Sequence, residues 1–214
     1  MRCVIFTGGK LEDSLLVRSA ITKADAIFAA DSGAEKALSY NVVPEVVVGD
    51  FDSLPKKTWK VLQKKGSKII SFKQEKNETD TELALQLAIK KGATEITLLG
   101  GVFGSRLDHI LANVFLGLFY KKVQMTFVSG KTTAQIIHGP TKITLSGKKA
   151  DVVSLLPLVG NAEGIDLQGL YYPLKNGTLV LGKPKGMSNV FTAKEASISV
   201  KKGALLIVQT NKKK

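Results

Sequence analysis

The sequence predicts an α/β fold. An N-terminal open, mostly parallel sheet carries helices on both faces, and a small all-β sandwich follows it. Three observations predict this. Up to about residue 130, short β-branched or apolar runs alternate with helical patterns. Those runs are continuous in polarity rather than alternating, as in parallel strands covered on both faces. After about residue 134 the helical patterns stop, and short strands succeed one another between Gly, Pro and Asn punctuation.

In order, the first strands are read at residues 3–6, 26–30, 46–48, 68–72, 95–99 and 124–128. Helical patterns lie between them. One begins near Pro55. Another begins at Thr79-Asp80-Thr81-Glu82, a capping-box pattern, and buries Leu83 and Leu87. The clearest has Leu107, Ile110, Leu111, Val114, Phe115, Leu118 and Phe119, spaced three and four apart. Strand–helix alternation of this kind builds an open sheet with right-handed crossovers. The second set of strands is read at 134–137, 141–145, 152–155, 164–167, 178–181, 196–200 and 204–209. Asn176-Gly177 reads as a hairpin turn. The domains are therefore expected at 1–133 and 134–214.

Composition excludes several classes. Apolar residues make up 44% of the 214, too many for a disordered chain. No apolar run approaches the ~20 residues of a membrane helix, so no membrane partner is expected. Cys3 is the one cysteine, which removes disulfide frameworks and zinc–cysteine sites. The start reaches Gly8-Gly9 too early for a signal peptide, and a cytoplasmic location is expected. The net charge of +13 is carried by lysine, the arginines being Arg2, Arg18 and Arg106. Base-reading surfaces lean on arginine, and no basic stripe is interleaved with aromatics. Nucleic acid is not expected as the main partner.

In an open α/β sheet, ligands bind beyond the carboxyl ends of the strands. The residues just after each strand therefore sample one rim. Asp31-Ser32-Gly33 comes after the second strand, and Gly49-Asp50-Phe51-Asp52-Ser53 after the third. The fourth leads through Lys76 to Thr79-Asp80, and the fifth to Gly100-Gly101-Val102-Phe103-Gly104-Ser105-Arg106-Leu107-Asp108-His109. With only 18 Asp and Glu in the chain, this recurrence on one rim is informative.

Asp50 and Asp52 are two apart, so in extended backbone they point to one side. Converging carboxylates repel unless a cation sits between them, and Mg²⁺ suits carboxylates, water and phosphates. Asp52 or Ser53 would equally serve as the cap of the helix near Pro55. Asp80 and Asp108 would equally serve as first-turn charges that favour the helix dipole. Gly101 and Gly104 bring backbone amides toward a helix start, as in phosphate sites, and Arg106 can fork onto a phosphate. Gly130-Lys131-Thr132 imitates the end of a P-loop, but Met125 stands at its first glycine, so it reads as a turn. His109 and His138 have no metal-ligand spacing.

Taken in order, Asp31-Ser32-Gly33-Ala34, Gly49-Asp50-Phe51-Asp52-Ser53, Lys76 through Thr79-Asp80, Gly104-Ser105-Arg106-Leu107-Asp108-His109, Gly169-Leu170-Tyr171-Tyr172-Pro173-Leu174 and Gly186-Met187-Ser188-Asn189 resemble the motifs of the bacterial thiamine pyrophosphokinase family. The resemblance runs through nearly the whole chain. It implies an α/β catalytic domain, a β-sandwich that helps bind thiamine, and a homodimer with active sites at the subunit interface. It implies the reaction of ATP with thiamine to give AMP and thiamine diphosphate. It further implies that Asp50, Asp52 and Asp80 serve Mg²⁺ and the triphosphate. Arg106 and Asp108 complete that catalytic site, Asp31, Lys76, Gly101 and Gly104 lie on the nucleotide side, and Ser188 and Asn189 lie at the thiamine. Asp80 or Asp108 would handle the hydroxyl proton. Ser32, Asn77 and Val190 depart from the family pattern. The alternatives are a pyrophosphokinase for another acceptor such as a hydroxymethylpterin, a metal-dependent hydrolase, and a nucleic-acid-binding module.

Overall fold

The computed structural model describes residues 1–52 and 54–212. Ser53, one of the two candidate caps for the helix near Pro55, lies outside the described residues. The chain divides into two compact units, Met1–Gly130 and Lys131–Lys214.

Unit 1 contains, in order, β1 (Arg2–Phe6), α1 (Leu15–Thr22), β2 (Ala26–Ala30), α2 (Gly33–Ser39), β3 (Val46–Gly49), α3 (Lys56–Lys64), β4 (Lys68–Ser71), α4 (Asp80–Lys90), β5 (Glu95–Leu99), α5 (Leu107–Phe119) and β6 (Gln124–Ser129). Its strands lie in the order β6-β5-β1-β2-β3-β4 and pair in parallel. The uninterrupted apolar runs are explained by this: Val4, Ile5, Phe6, Ala29, Val47, Val48 and Leu98 are all buried. Val4, Phe6 and Val47 meet Val17 of α1, Ala34 and Ala37 of α2 and Leu62 of α3 in one cluster. Each fully buried large side chain contributes roughly 1.5–3 kcal/mol. Cys3 is 2% exposed on β1, and burial pushes its thiol up to about 12. It is a core residue and not a ligand or nucleophile.

Helix starts reflect local chemistry. Thr79 caps α4, its hydroxyl accepting from the Glu82 amide at 3.2 Å, and Asp80 and Glu82 lie in the first turn. α5 spans the predicted segment, but its apolar pattern is wider than the face it buries. Asn113, Val114 and Gly117 are buried. Leu107, Leu111, Phe115 and Phe119, an i, i+4 row, remain exposed. A helix apolar on two sides does not announce which side meets the core.

Unit 2 contains β7 (Thr132–His138), β8 (Thr141–Ser146), β9 (Val152–Pro157), β10 (Ala162–Gln168), β11 (Leu174–Leu179), β12 (Asn189–Val190), β13 (Glu195–Val200) and β14 (Ala204–Thr210). The strands β12-β9-β14-β7 and β11-β10-β13-β8 form two antiparallel sets. Val153, Leu155, Leu205 and Ile207 from the first set share one core with Ile165, Leu167, Ile198 and Val200 from the second. This is a sandwich with its core between two sheets. Asn176-Gly177 is not the predicted hairpin turn. It lies within β11, where the pairing with β10 shifts register. Asn176 takes a φ of 47° there, and its amide donates to Asp166 Oδ1 at 2.9 Å. A side-chain acceptor thus stabilises a bulge where Asn-Gly would otherwise turn the chain. Gly130, at φ 54°, is a turn between β6 and β7, as read from the sequence.

Candidate active site

The strand order reverses direction at β1, whose neighbours are β2 and β5. That is the switch point, where the carboxyl ends of adjacent strands leave a crevice. Two loops meet there. The Thr7 amide donates to Leu99 O at 2.9 Å and the Lys10 amide to Phe103 O at 2.7 Å. A Cβ on Gly9 would stand 2.0 Å from Gly100 O and 2.7 Å from Phe103 O, so any side chain at this crossing would force the backbone of the 100–104 loop to move. The loop so held carries Gly101 and Gly104. The Gly101 carbonyl accepts from Asn113 Nδ2 at 2.6 Å, which ties the loop to the buried face of α5.

The next two strands carry the first carboxylates. Asp31 leaves β2 with a φ of 46°, and its amide donates to Val48 O at 2.7 Å. A Cβ on Gly49 would lie 3.2 Å from Asp31 Cα, so the exits of β2 and β3 touch. Gly33 then starts α2, and its own Cβ would stand 2.1 Å from Phe6 O. After Gly49 the chain turns sharply. Phe51 has a φ of 60°, a conformation costly for an aromatic residue and enriched at functional sites. Its ring meets Trp59 of α3 edge-on at 4.9 Å. The turn lets the Asp52 amide donate to Asp50 Oδ1 at 3.2 Å.

Lys76 Nζ lies 2.8 Å from Asp80 Oδ1, with side chains 14% and 25% exposed. That oxygen makes no hydrogen bond of ordinary angle, so the contact is one of charge. Arg106 grips Asp108 with two parallel bonds, Nε to Oδ1 at 3.0 Å and Nη2 to Oδ2 at 2.6 Å. This guanidinium holds the Asp108 carboxyl down to about 2. The fork expected to meet phosphate thus meets a carboxylate two residues away, on an exposed helix start.

In unit 2, Ser188 takes a φ of 56° and its amide donates to Ser154 Oγ at 3.0 Å. Asn189 is 5% exposed. Its Oδ1 accepts from the amides of Tyr172 and Val190, both at 2.9 Å, and its Nδ2 donates to Tyr172 O at 2.7 Å.

Among the described residues, no three His, Cys, Asp or Glu side chains gather as a metal-binding group. The donors still suit a hard cation. Asp50 and Asp52 offer carboxylate oxygens on one tight turn, and Mg²⁺ binds through one or two carboxylates, water and substrate phosphates rather than a full protein cage.

Sequence reasoning passed over Gly8, Gly9 and Lys36. The Lys36 ammonium donates to Gly8 O at 2.5 Å, and burial pushes it down while Glu35 and Asp31 pull it up. It is thereby placed beside the β1 exit and near the Asp31 charge. No spacing rule finds these three, because their meeting depends on β1 lying between β2 and β5.

A family model described as thiamin pyrophosphokinase, catalytic domain, matches residues 17–128, and one described as thiamin pyrophosphokinase, vitamin B1 binding domain, matches residues 137–205. The chain is 26% identical over 184 residues to the thiamine pyrophosphokinase of Bacillus subtilis (strain 168), covering 84% of this chain and 85% of the relative. The crystal structure of thiamine pyrophosphokinase from Bacillus subtilis superposes with a TM-score of 0.87 at 23% identity, over 100% of each chain. Thiamin pyrophosphokinase from Geobacillus thermodenitrificans gives 0.83 at 26% identity, over 99% of this chain and 98% of that one. The fungal enzyme from Candida albicans gives 0.80 at 17% identity, over 99% and 89%.

Proposed function

The chain belongs to the thiamin pyrophosphokinase family, enzymes that make thiamine diphosphate from thiamine and ATP, and we propose how its residues divide that work. The thiamine hydroxyl attacks the β-phosphorus of ATP in line. A new O–P bond forms, the bond to the α-phosphate oxygen breaks, and AMP leaves. Charge builds on phosphate oxygens, so positioning and electrostatics supply most of the catalysis.

In this reading the nucleotide lies along the rim of unit 1. Gly101 and Gly104 present backbone to its phosphates, Lys76 and Arg106 offset their charge, and Asp31 lies at the nucleotide side. Asp50, Asp52 and Asp80 would hold Mg²⁺, which when bound offsets the charge developing between the phosphates. Asp108, held down to about 2 by Arg106, is a weak proton acceptor. Asp80 faces a cation as well, Lys76 at 2.8 Å, so either carboxylate, Asp80 or Asp108, takes the hydroxyl proton in this reading. Ser188 and Asn189 serve the thiamine side. The observation that carries the assignment is the turn at Asp50-Phe51-Asp52, where a left-handed aromatic residue brings two aspartates onto one turn at the exit of β3 and the Asp52 amide holds the Asp50 carboxylate.

The working form in this reading is a cytoplasmic homodimer. Among the described residues no helix is long and apolar enough to cross a membrane. The exposed row Leu107, Leu111, Phe115 and Phe119 supports self-association, because contiguous apolar surface of this kind marks an interaction face.

Product analysis after incubation with ATP, Mg²⁺ and thiamine tests the reading. Equal amounts of AMP and thiamine diphosphate are expected, and a mass in solution twice the 23.0 kDa of the chain. AMP formed only with a pterin acceptor would overturn the acceptor, and phosphate release without any acceptor would overturn transfer itself.

A further inference from the structure

Residues 7–10 form a strap that leaves β1 and runs between α2 and the 100–104 loop. On the loop side the Thr7 amide and hydroxyl both donate to Leu99 O, at 2.9 and 3.2 Å, and the Lys10 amide donates to Phe103 O at 2.7 Å. On the α2 side the packing is as close. A Cβ on Gly33 would stand 2.1 Å from Phe6 O, and one on Gly8 would stand 2.9 Å from Ser32 Oγ. Thr7 and Lys10 anchor the two ends of the strap. Between them lies the peptide that joins Gly8 to Gly9.

Lys36 fixes that peptide. Its side chain is half-buried in the middle of α2, and its ammonium donates to Gly8 O at 2.5 Å. A hydrogen bond from a charged donor is stronger than one between neutral groups. The Gly8 carbonyl and the Gly9 N–H belong to one planar trans peptide, so they point in opposite directions. Holding the oxygen toward α2 turns the N–H away from α2. Among the described residues, that N–H has no hydrogen-bond partner, although Gly9 is half-buried. A polar group so placed is completed by an acceptor from outside the chain.

Resting on the family reading above, we propose that Lys36 is a positioning residue for the nucleotide, acting through the Gly8–Gly9 peptide to aim the Gly9 N–H at a phosphate oxygen of ATP. The amide is a donor with no side-chain freedom to lose, and the lysine keeps it from turning away. The same bond holds the strap against the loop that carries Gly101 and Gly104. Lys36 itself stays on Gly8 and does not touch the nucleotide.

Steady-state kinetics with ATP and thiamine varied separately, and glycine-selective ¹⁵N spectra of the whole protein, test this. Lys36→Met is expected to lower kcat/KM for ATP by about 10- to 10²-fold, the effect of losing one charged hydrogen bond, and to leave KM for thiamine unchanged. Lys36→Arg keeps a charged donor and should recover most of that loss. Gly9→Ala already displaces the strap from the 100–104 loop, so the Lys36→Met/Gly9→Ala double variant should be no worse than Gly9→Ala alone. The Gly9 amide signal, assigned by its absence from Gly9→Ala, should move downfield when the parent is saturated with ATP, and should move less in Lys36→Met. A Lys36→Met enzyme with the parent's kcat/KM for ATP would overturn the positioning role. Multiplying losses in the double variant would overturn the route through Gly8, showing that Lys36 bears on the phosphates directly. A Gly9 signal unmoved by ATP would overturn the amide donor. A parent enzyme that makes no thiamine diphosphate would instead defeat the family reading on which the proposal stands.

Discussion

Adding one methyl group at Gly9 should separate stability from catalysis. A Cβ there stands 2.0 Å from Gly100 O and 2.7 Å from Phe103 O. Both are backbone atoms, and no side chain can swing aside. To reach ordinary contact the 100–104 loop must retreat by more than about 1 Å, and overpacking of this kind costs about 1–3 kcal/mol. For a protein of this size that corresponds to a fall in Tm of roughly 2–4 °C per kcal/mol. The larger effect falls on turnover. The retreating loop carries Gly101 and Gly104, and a misplacement of about 1 Å at a phosphate site is worth around 10²-fold. Gly9→Ala is therefore expected to fold, to melt several degrees lower, and to lose about 10²-fold in kcat/KM for ATP. Circular-dichroism melts and a discontinuous assay for AMP measure the two effects. Gly160→Ala is the control. Gly160 has a positive φ, 59°, which Gly9 does not, and nothing lies within 4 Å of its Cβ position, so stability falls modestly and turnover holds. A Gly9→Ala enzyme with the parent's turnover would refute the idea that β1 holds the phosphate loop in place.

Asp50→Asn and Asp80→Asn should each lose at least ~10²-fold in turnover while remaining folded, and chelation of Mg²⁺ should abolish product formation by the parent; single-turnover product analysis reads both. Thr79→Ala removes the cap of α4 and should cost about 1 kcal/mol, a drop of some 2–4 °C on melting. The Arg106–Asp108 pair makes a prediction about pH. Asp108 is held at about 2, below its ordinary 3.8, so any stabilisation by the pair is present above the ordinary value and is lost as pH falls through about 2. Melting curves of Asp108→Asn and the parent should therefore keep a constant offset between about pH 5 and 8, and converge only in strong acid.

The legible parts of the fold are those set by local chemistry. Short uninterrupted β-branched runs such as Val46-Val47-Val48 read as strands covered on both faces, and Thr79 with Glu82 marks a helix start. The hidden parts depend on partners distant in the chain. Gly9 meets Gly100 because β1 lies beside β5, and parallel order is not written in any one segment. Asn189 meets Tyr172 across 17 residues, so its motif suggested a ligand while the structure supplies a backbone partner. Asn176-Gly177 carries a turn signal, yet the Asp166 carboxylate converts it into a bulge. The apolar row of α5 was visible as a pattern, but its exposure was not. Of the candidate site, the acidic exits of β2 and β3 and the acidic start of α4 could be read once the strands were placed. The grip of Arg106 on Asp108 could not, because two residues at a helix start can point together or apart.

The single thiol on β1 has a use unconnected with the reaction. Cys3 lies on a strand paired on both edges, sealed from solvent and protonated at neutral pH. A thiol reagent can reach it only when that sheet parts. The rate of modification under native conditions would then report the opening of unit 1 alone, since unit 2 contains no sulfhydryl to confuse the signal. Each of the variants would carry its own internal gauge of how firmly the catalytic half is closed.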